Sequence, residues 1–188
     1  MKQILFLFIF LSFAFQGFAS HIVGGEMIYE SIGPGLTPNT KHDKITLKLF
    51  RDQLGGGAAM PVNVYIGIFD GNQQYPAPGQ PYPVDKTRED VVPVKSFPPC
   101  VVNADPIDYH VGIYELNVDL PNNVNGYTAT YQTCCRVMPL ENVDNNTSNG
   151  TGSTYTCNIP ASIDISPDFS TSVNLICKGR SFTLDFSA

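Results

Sequence analysis

The sequence is poor in charge, and the charge that it has is mostly acidic. Charged residues make up 15% of the 188 residues, with 11 Lys and Arg against 17 Asp and Glu, so the formal net charge is −6. The longest basic cluster is only Lys41 with Lys44. Because contacts to nucleic-acid phosphates need clustered Lys and Arg, this composition argues against a nucleic-acid-binding protein.

Tryptophan is absent, and histidine is scarce. The three histidines, His21, His42 and His110, show none of the H-x-H, H-x-x-x-H or HExxH spacings that bring imidazoles to one metal ion. A GxSxG motif, a phosphate-binding loop and a dinucleotide fingerprint are also missing. We therefore expect neither a cofactor nor an enzymatic activity in this chain.

Long apolar runs are missing everywhere except at the N-terminus. There an apolar stretch covers residues 4–15, and the small residues Gly17 and Ala19 follow it. Small residues at the −3 and −1 positions after an apolar core predict a signal peptide over residues 1–19. The stretch is shorter than the about 20 residues that a membrane-spanning helix needs. We therefore predict an exported protein, secreted or at the cell surface, whose mature part begins at Ser20 without a membrane span.

The mature sequence contains a series of strand-length segments, several of which alternate between apolar and polar residues. The segments are residues 21–29, 45–50, 62–69, 114–120, 127–135 and 153–159. Successive side chains of a strand point to opposite faces of a sheet, so a period of two predicts half-buried strands. The core is predicted from Ile45, Leu47, Val64, Ile66, Leu116, Val118 and Tyr131. Short strands with turn-rich breaks predict an all-β fold, an antiparallel Ig-like β-sandwich over residues 20–160.

A proline-rich stretch interrupts this pattern at residues 75–86. Its prolines are Pro76, Pro78, Pro81 and Pro83. Because proline cannot donate to a strand ladder, we predict an extended connection here rather than a central strand. The connection is either a simple crossover between the two sheets or a binding loop. In the second case Tyr75 and Tyr82 are the candidate ligand-binding residues, because tyrosine offers a rigid apolar face with a polar tip.

A second candidate binding loop lies at residues 144–149, which are rich in side-chain oxygen atoms. Its candidate ligand-binding residues are Asp144, Asn146 and Asn149. An EF-hand loop needs Gly at its sixth position and Glu at its twelfth. Counted from Asp144, Gly150 is seventh and Tyr155 is twelfth, so an Asn-rich hairpin loop is preferred over a Ca²⁺ site.

The five cysteines are an odd number, which bears on the organisation of the chain. Exported proteins tend to pair their cysteines. We predict two disulfides among Cys100, Cys134, Cys135 and Cys157, and an unpaired Cys177 whose partner lies beyond residue 188. Adjacent cysteines on a strand point to opposite faces, so Cys134 and Cys135 each bond a different partner. Two connectivities stay open: Cys100–Cys134 with Cys135–Cys157, or Cys100–Cys135 with Cys134–Cys157.

The C-terminal part, residues 161–188, has a different character. Pro160 and Pro167 enclose polar residues, as in a linker, and strand-like segments follow at 173–176 and 181–186. The pattern stops at the last residue, before a domain is complete. We therefore predict a linker and then the first strands of a truncated second β-domain.

Several segments form a set that can be compared with known families. They read SHIVGGEMIYE at 20–30, ITLKLFRD at 45–52, VYIGIFD at 64–70, GIYELNVDLP at 112–121 and YTATYQTCCR at 127–136. Together they resemble a recurring N-terminal β-sandwich module of large exported Bacteroidota proteins, described as gliding motility-associated or as carrying a type IX secretion sorting domain. ICKGRSFTLDFSA at 176–188 is similar to the opening of the cadherin-like or Ig-like repeat that follows the module. The chain departs from the family at Gln53, where a cysteine is usual, and at Cys157, where a cysteine is not.

The resemblance transfers no catalytic residues. It implies a non-catalytic N-terminal module of a secreted or cell-surface multidomain protein, which serves adhesion, surface display or ligand binding. Its partners would be neighbouring repeats of the same longer chain and an extracellular glycan or protein. The alternative is an accessory domain of an exported hydrolase, acting on glycan or peptide, whose catalytic part lies beyond residue 188. The downstream sequence would discriminate between the two.

Overall fold

All regular secondary structure in the described part of the chain is β-strand. The computed structural model describes residues 22–54, 59–75, 81–92, 97–102, 107–134, 152–168, 177, 179–181 and 183. The strands are β1 (Ile22–Pro34), β2 (Thr40–Asp52), β3 (Asn63–Asp70), β4 (Gln73–Tyr75), β5 (Tyr82–Val92), β6 (Tyr109–Pro121), β7 (Tyr127–Thr133) and β8 (Ser153–Ile159). The prediction of an all-β fold is confirmed. Within these ranges, no helix is long and apolar enough to cross a bilayer.

The strands form one continuous antiparallel sheet in the order β1-β2-β6-β5-β3-β7-β8, with β4 paired to β3. The two ends of this order lie side by side, because the sheet curls until β8 reaches β1. At this seam a Cβ atom added to Gly25 of β1 would lie 3.0 Å from Cε1 of Tyr155 in β8. The antiparallel arrangement is therefore as predicted, but the sheet is barrel-like rather than clearly the two layers of an Ig-like sandwich.

Strand β5 is a difference from the sequence prediction, which placed an extended connection over residues 75–86. The first half of β5 pairs with β3, and the second half pairs with β6 after a register shift between Lys86 and Arg88. Pro83 lies opposite Tyr65 of β3, before the pairing with β6 begins. Among the described residues, β5 therefore has no strand on its β6 side at Pro83. A strand edge of this kind tolerates proline, which has no N–H to donate.

The hydrophobic core lies inside the curled sheet. Six of the seven predicted core residues are buried in it: Ile45, Leu47, Val64, Ile66, Val118 and Tyr131. Leu116 packs against the same core while half-buried. Period-two patterning therefore identified the inward face of these strands correctly.

Residues 160–168, which follow β8, lie along the free edge of β1. The N–H of Ser31 donates to the carbonyl of Asp164 at 3.0 Å, and the N–H of Ser166 donates to the carbonyl of Tyr29 at 3.0 Å. We call this segment the strap. These contacts tie residues 160–168 to the sheet, so they do not support the predicted start of a free linker at residue 161. The strand-like segments of the predicted second β-domain lie largely outside the described residues.

Candidate functional site

Three loops meet at one end of the sheet: two turns that are hydrogen-bonded to each other, and a segment after β8 that is hydrogen-bonded to Lys41 of β2. They are the β1–β2 turn (residues 34–40), the β6–β7 turn (residues 121–127) and the start of the strap (residues 160–163). We call this region the hairpin end. The N–H of Asn122 donates to the carbonyl of Asn39 at 2.8 Å, which joins the two turns directly.

Residues that accept unusual backbone angles make these turns tight. Asn39 has a φ of 62°, in the left-handed region that Asn tolerates better than most residues. Gly126 has a φ of 69°, and a Cβ atom at this position would lie 2.2 Å from the carbonyl oxygen of Ile159. Only glycine fits there, so Gly126 allows the β6–β7 turn to approach the end of β8.

Asp119 holds the β1–β2 turn in place from β6. One carboxylate oxygen lies 2.5 Å from Nδ1 of His42, and the other accepts the N–H of Leu36 at 2.8 Å. The bond to His42, and then the bond from Leu36, keep the pKa of Asp119 below its ordinary value. The carboxylate form that holds this turn is therefore favoured.

Each of the three loops presents a large aliphatic side chain to solvent. Leu36 is 95% exposed, Val124 is 90% exposed and Ile163 is 68% exposed. Exposed aliphatic residues also occur at the opposite end of the sheet, where Leu54 and Val102 adjoin segments outside the described residues. At the hairpin end, hydrogen bonds join the loops that carry these side chains, and the N–H of Leu36 donates to Asp119.

A buried polar cluster lies just inside the hairpin end. Asp43, whose exposed fraction is 0%, accepts a hydrogen bond from Oγ of Ser31 at 2.6 Å and lies 3.4 Å from Nζ of Lys41. Nζ of Lys41 also donates to the carbonyls of Pro160 at 2.6 Å and Ser162 at 3.2 Å. The lysine thus links the interior carboxylate to the strap, which closes this end of the sheet.

Further along the strap, a second lysine makes a three-part ion cluster. Nζ of Lys48 lies 2.8 Å from Oε1 of Glu26 on β1 and also contacts Oδ1 of Asp168 on the strap. Burial alone would lower the pKa of Lys48, but the hydrogen bonds to Asp168 and Glu26 outweigh it and leave the pKa raised. This cluster borders a groove of about 380 Å³ between the strap and the outer face of the sheet.

A separate charged cluster lies at the opposite end, on β5 and β6. Glu89 accepts hydrogen bonds from Nζ of Lys86 at 2.6 Å and is 2.8 Å from Nδ1 of His110, whose Nε2 is 3.2 Å from Asp108. The described residues include no group of His, Cys, Asp or Glu side chains arranged to hold a metal ion. The contact between Glu89 and His110 ties β5 to β6.

The Glu89 network predicts a loss of stability in acid. The bond from Lys86, assisted by His110 and opposed by burial, lowers the pKa of Glu89 from its ordinary 4.5. A carboxylate with a depressed folded-state pKa stabilises the fold above its unfolded-state pKa, and this contribution disappears as the pH falls through the folded-state value. Urea unfolding between pH 7 and pH 3 should show a smaller acid-induced loss in Glu89→Gln than in the wild type. Equal losses in the two proteins would contradict this role of Glu89.

The structure places the predicted binding tyrosines in strands rather than on a projecting loop. Tyr75 ends β4 opposite Ile68, and Tyr82 begins β5 opposite Ile66, so both flank the same stretch of β3. Both rings are half-buried against the core, and the ring of Tyr75 lies 5.7 Å from that of Tyr127. Their packing gives them a structural role. The second predicted loop, with Asp144, Asn146 and Asn149, lies outside the described residues.

The predicted disulfide pattern is wrong. Cys100 is bonded to Cys177, with Cα atoms 6.3 Å apart, whereas both predicted connectivities used Cys100 with Cys134 or Cys135 and left Cys177 unpaired. Cys157 is a buried free thiol, and burial raises its pKa to about 12. Cys134 is exposed, and Cys135 lies outside the described residues.

The physical reason for this difference is the strap. A cysteine beyond a free linker needs a partner in its own domain, but the strap returns along β1. That path keeps Cys177 within reach of the β5–β6 connection that carries Cys100. Only the long-range backbone path, which a local pattern does not contain, could have shown this pairing.

Sequence reasoning also missed the hairpin end. Both of its turns contain Gly and Asn, but their meeting depends on the order of the strands in the sheet. No protein-family model, curated protein or solved structure matches the chain.

Proposed function

We propose that this chain is a non-catalytic binding module of an exported multidomain protein, and that the hairpin end is its contact surface. The observation that carries the proposal is the set of exposed side chains Leu36, Val124 and Ile163 on loops that hydrogen bonds hold in place. Recognition usually lies in loops on a rigid scaffold. Large exposed apolar surface often marks an interaction site, because covering it with a partner is favourable. Because the loops are already ordered, little conformational entropy is lost on binding.

The chemistry of the hairpin end favours a protein partner over a glycan. Leu36, Val124 and Ile163 offer aliphatic surface, whose burial against another apolar surface is favourable at about 25 cal/mol per Å². A sugar is covered with hydroxyl groups, which would lose water against these side chains without gaining hydrogen-bond partners. The partner class is therefore the apolar surface of an extracellular protein, which includes a neighbouring repeat of the same longer chain.

Two further observations support export. The tripartite pattern over residues 1–19 is that of a signal peptide. The Cys100–Cys177 disulfide fits an oxidising compartment, because disulfides rarely persist in the cytosol. The resemblance to Bacteroidota modules supports adhesion or surface display by a larger protein, including the gliding and type IX secretion context of that group.

The experiment is a binding screen with matched variants of the chain, purified after export. The wild type is applied to an array of extracellular proteins and to a glycan array. The double variant Leu36→Asp with Val124→Asp changes the hairpin end, and Val62→Asp changes a valine that is 76% exposed at the opposite end. We expect the wild type to bind a protein on the array. The double variant should raise the Kd at least about tenfold, a loss of about 1.4 kcal/mol, whereas Val62→Asp should change the Kd by less than about twofold.

Two outcomes would overturn the proposal. In the first, the double variant, shown to be folded by its circular dichroism, binds the same proteins as tightly as the wild type. In the second, esterase, glycosidase or peptidase substrates are turned over, and a single polar substitution abolishes this turnover.

A further inference from the structure

The Lys48 cluster brings an amine and two carboxylates from three parts of the chain together. Lys48 is only 8% exposed, and it lies directly opposite Glu26 in the register between β1 and β2. Its Nζ atom lies 2.8 Å from Glu26 and also contacts Asp168, which is 120 residues away in sequence. A buried amine held between two carboxyl groups is placed for acyl transfer as well as for an ion pair, because proximity removes much of the entropic part of the activation barrier.

We propose that Lys48 and Asp168 become joined by an intramolecular amide bond, with Glu26 as the group that carries the protons. The side-chain nitrogen of Lys48 is the nucleophile, and the side-chain carboxyl carbon of Asp168 is the electrophile. The product is a covalent cross-link between β2 and the strap. It requires no cofactor, oxidant or second substrate.

The atoms and charges of this step balance. Glu26 accepts a proton from the Lys48 ammonium and passes it to Asp168, which leaves a neutral amine beside a neutral carboxylic acid. The amine nitrogen then bonds to the carboxyl carbon, and Glu26 moves a proton from that nitrogen to the departing oxygen. The carbon–oxygen bond breaks and one water molecule leaves. Glu26 is regenerated as a carboxylate, so the ion pair has become an amide and water.

The surroundings distinguish Lys48 from other lysines on the same face. Lys44 forms a similar cross-strand pair with Glu30 at 2.9 Å, but its side chain is 33% exposed, and among the described residues Glu30 is the one carboxylate within ion-pair distance of it. Partial desolvation favours the neutral amine and acid that the reaction needs. The ion pairs still raise the pKa of Lys48, so we expect the bond to form slowly through the minor neutral species. Asp168, 59% exposed, opens to solvent on the side where water leaves.

The cross-link would complement the disulfide. The strap is held to β1 by hydrogen bonds around Tyr29 and Ser166, and Cys177 is bonded to Cys100. An amide at Asp168 would add a second covalent link to the same C-terminal segment. Unlike the disulfide, it would persist under reducing conditions.

The test is the intact mass of the exported chain, measured by mass spectrometry after full reduction and a prolonged incubation. We expect the wild type to be lighter than its sequence by one water molecule, and a proteolytic digest to contain the Lys48 and Asp168 peptides as one linked species. Lys48→Arg keeps the positive charge but provides no amine, so its mass should be that of the sequence. Glu26→Gln keeps the size but removes the proton carrier, and should likewise lack the cross-link. The matched control Glu30→Gln should retain it.

A wild-type chain with the full mass of its sequence after incubation would overturn the proposal. A loss of water that survives in Lys48→Arg would also overturn it, because the bond would then involve other residues. Circular dichroism of each variant shows whether the fold is retained, so that a missing cross-link is not mistaken for unfolding.

Discussion

Cys100→Ser should lower the free energy of unfolding by about 4.5 kcal/mol, which is the chain-entropy expectation for a disulfide that closes a loop of this length. The bond joins residues separated by 77 positions, so it removes many conformations from the unfolded chain. Urea unfolding of the oxidised proteins measures the difference. The dependence of the unfolding free energy on urea concentration is fitted separately for each protein.

The reductant provides the control for this prediction. Reduced wild type should unfold at the same urea concentration as the reduced variant. If Cys100→Ser is as stable as the oxidised wild type, the Cys100–Cys177 bond does not form in the exported protein. In that case the predicted pairings that include Cys134 or Cys135 would need to be considered again.

Gly126→Ala should destabilise the protein by about 3 kcal/mol or more, since it combines backbone strain with a steric clash. The residue has a φ of 69°, and the added Cβ would lie 2.2 Å from the carbonyl oxygen of Ile159 and 3.2 Å from Cα of Pro160. Both neighbours are backbone atoms, which cannot rotate away as a side chain can. We also expect weaker partner binding, because the clash displaces the turn that carries Val124.

Gly71→Ala is the matched control for Gly126→Ala. Gly71 also has a positive φ, 57°, but among the described residues, its chain neighbours aside, nothing lies within 4 Å of its Cβ position. Its substitution should therefore cost only the strain of the left-handed conformation, about 1–2 kcal/mol. Urea unfolding of the two variants separates strain from clash. Equal losses of stability would show that the β6–β7 turn does not pack against Ile159 as described.

The alternation of apolar and polar residues predicted which face of a strand is buried. Alternation along β2 and β3 identified Ile45, Leu47, Val64 and Ile66 as core residues, because the face of a strand is fixed by its own sequence. Strand β5 was missed because it is rich in charge and contains Pro83. Its place in the sheet depends on β3 and β6, which no local signal reports.

The candidate site was beyond local reasoning for the same reason. Tyr75 and Tyr82 have the chemistry of binding residues, but the pairing of β4 and β5 with β3 turns both rings toward the core. Conversely, Leu36 and Val124 stand in ordinary turn sequences. They share one surface only because the strand order places the β1–β2 and β6–β7 turns side by side.

Hydrogen–deuterium exchange of the exported chain, alone and with a protein partner taken from the array, tests the central proposal most directly. We expect slower exchange on binding at residues 35–40 and 122–126, with no change at the start of β3 around Asn63. Protection confined to β4 and β5 near Tyr75 and Tyr82, or to the end of the sheet opposite the hairpin end, would show that the hairpin end is not the contact surface.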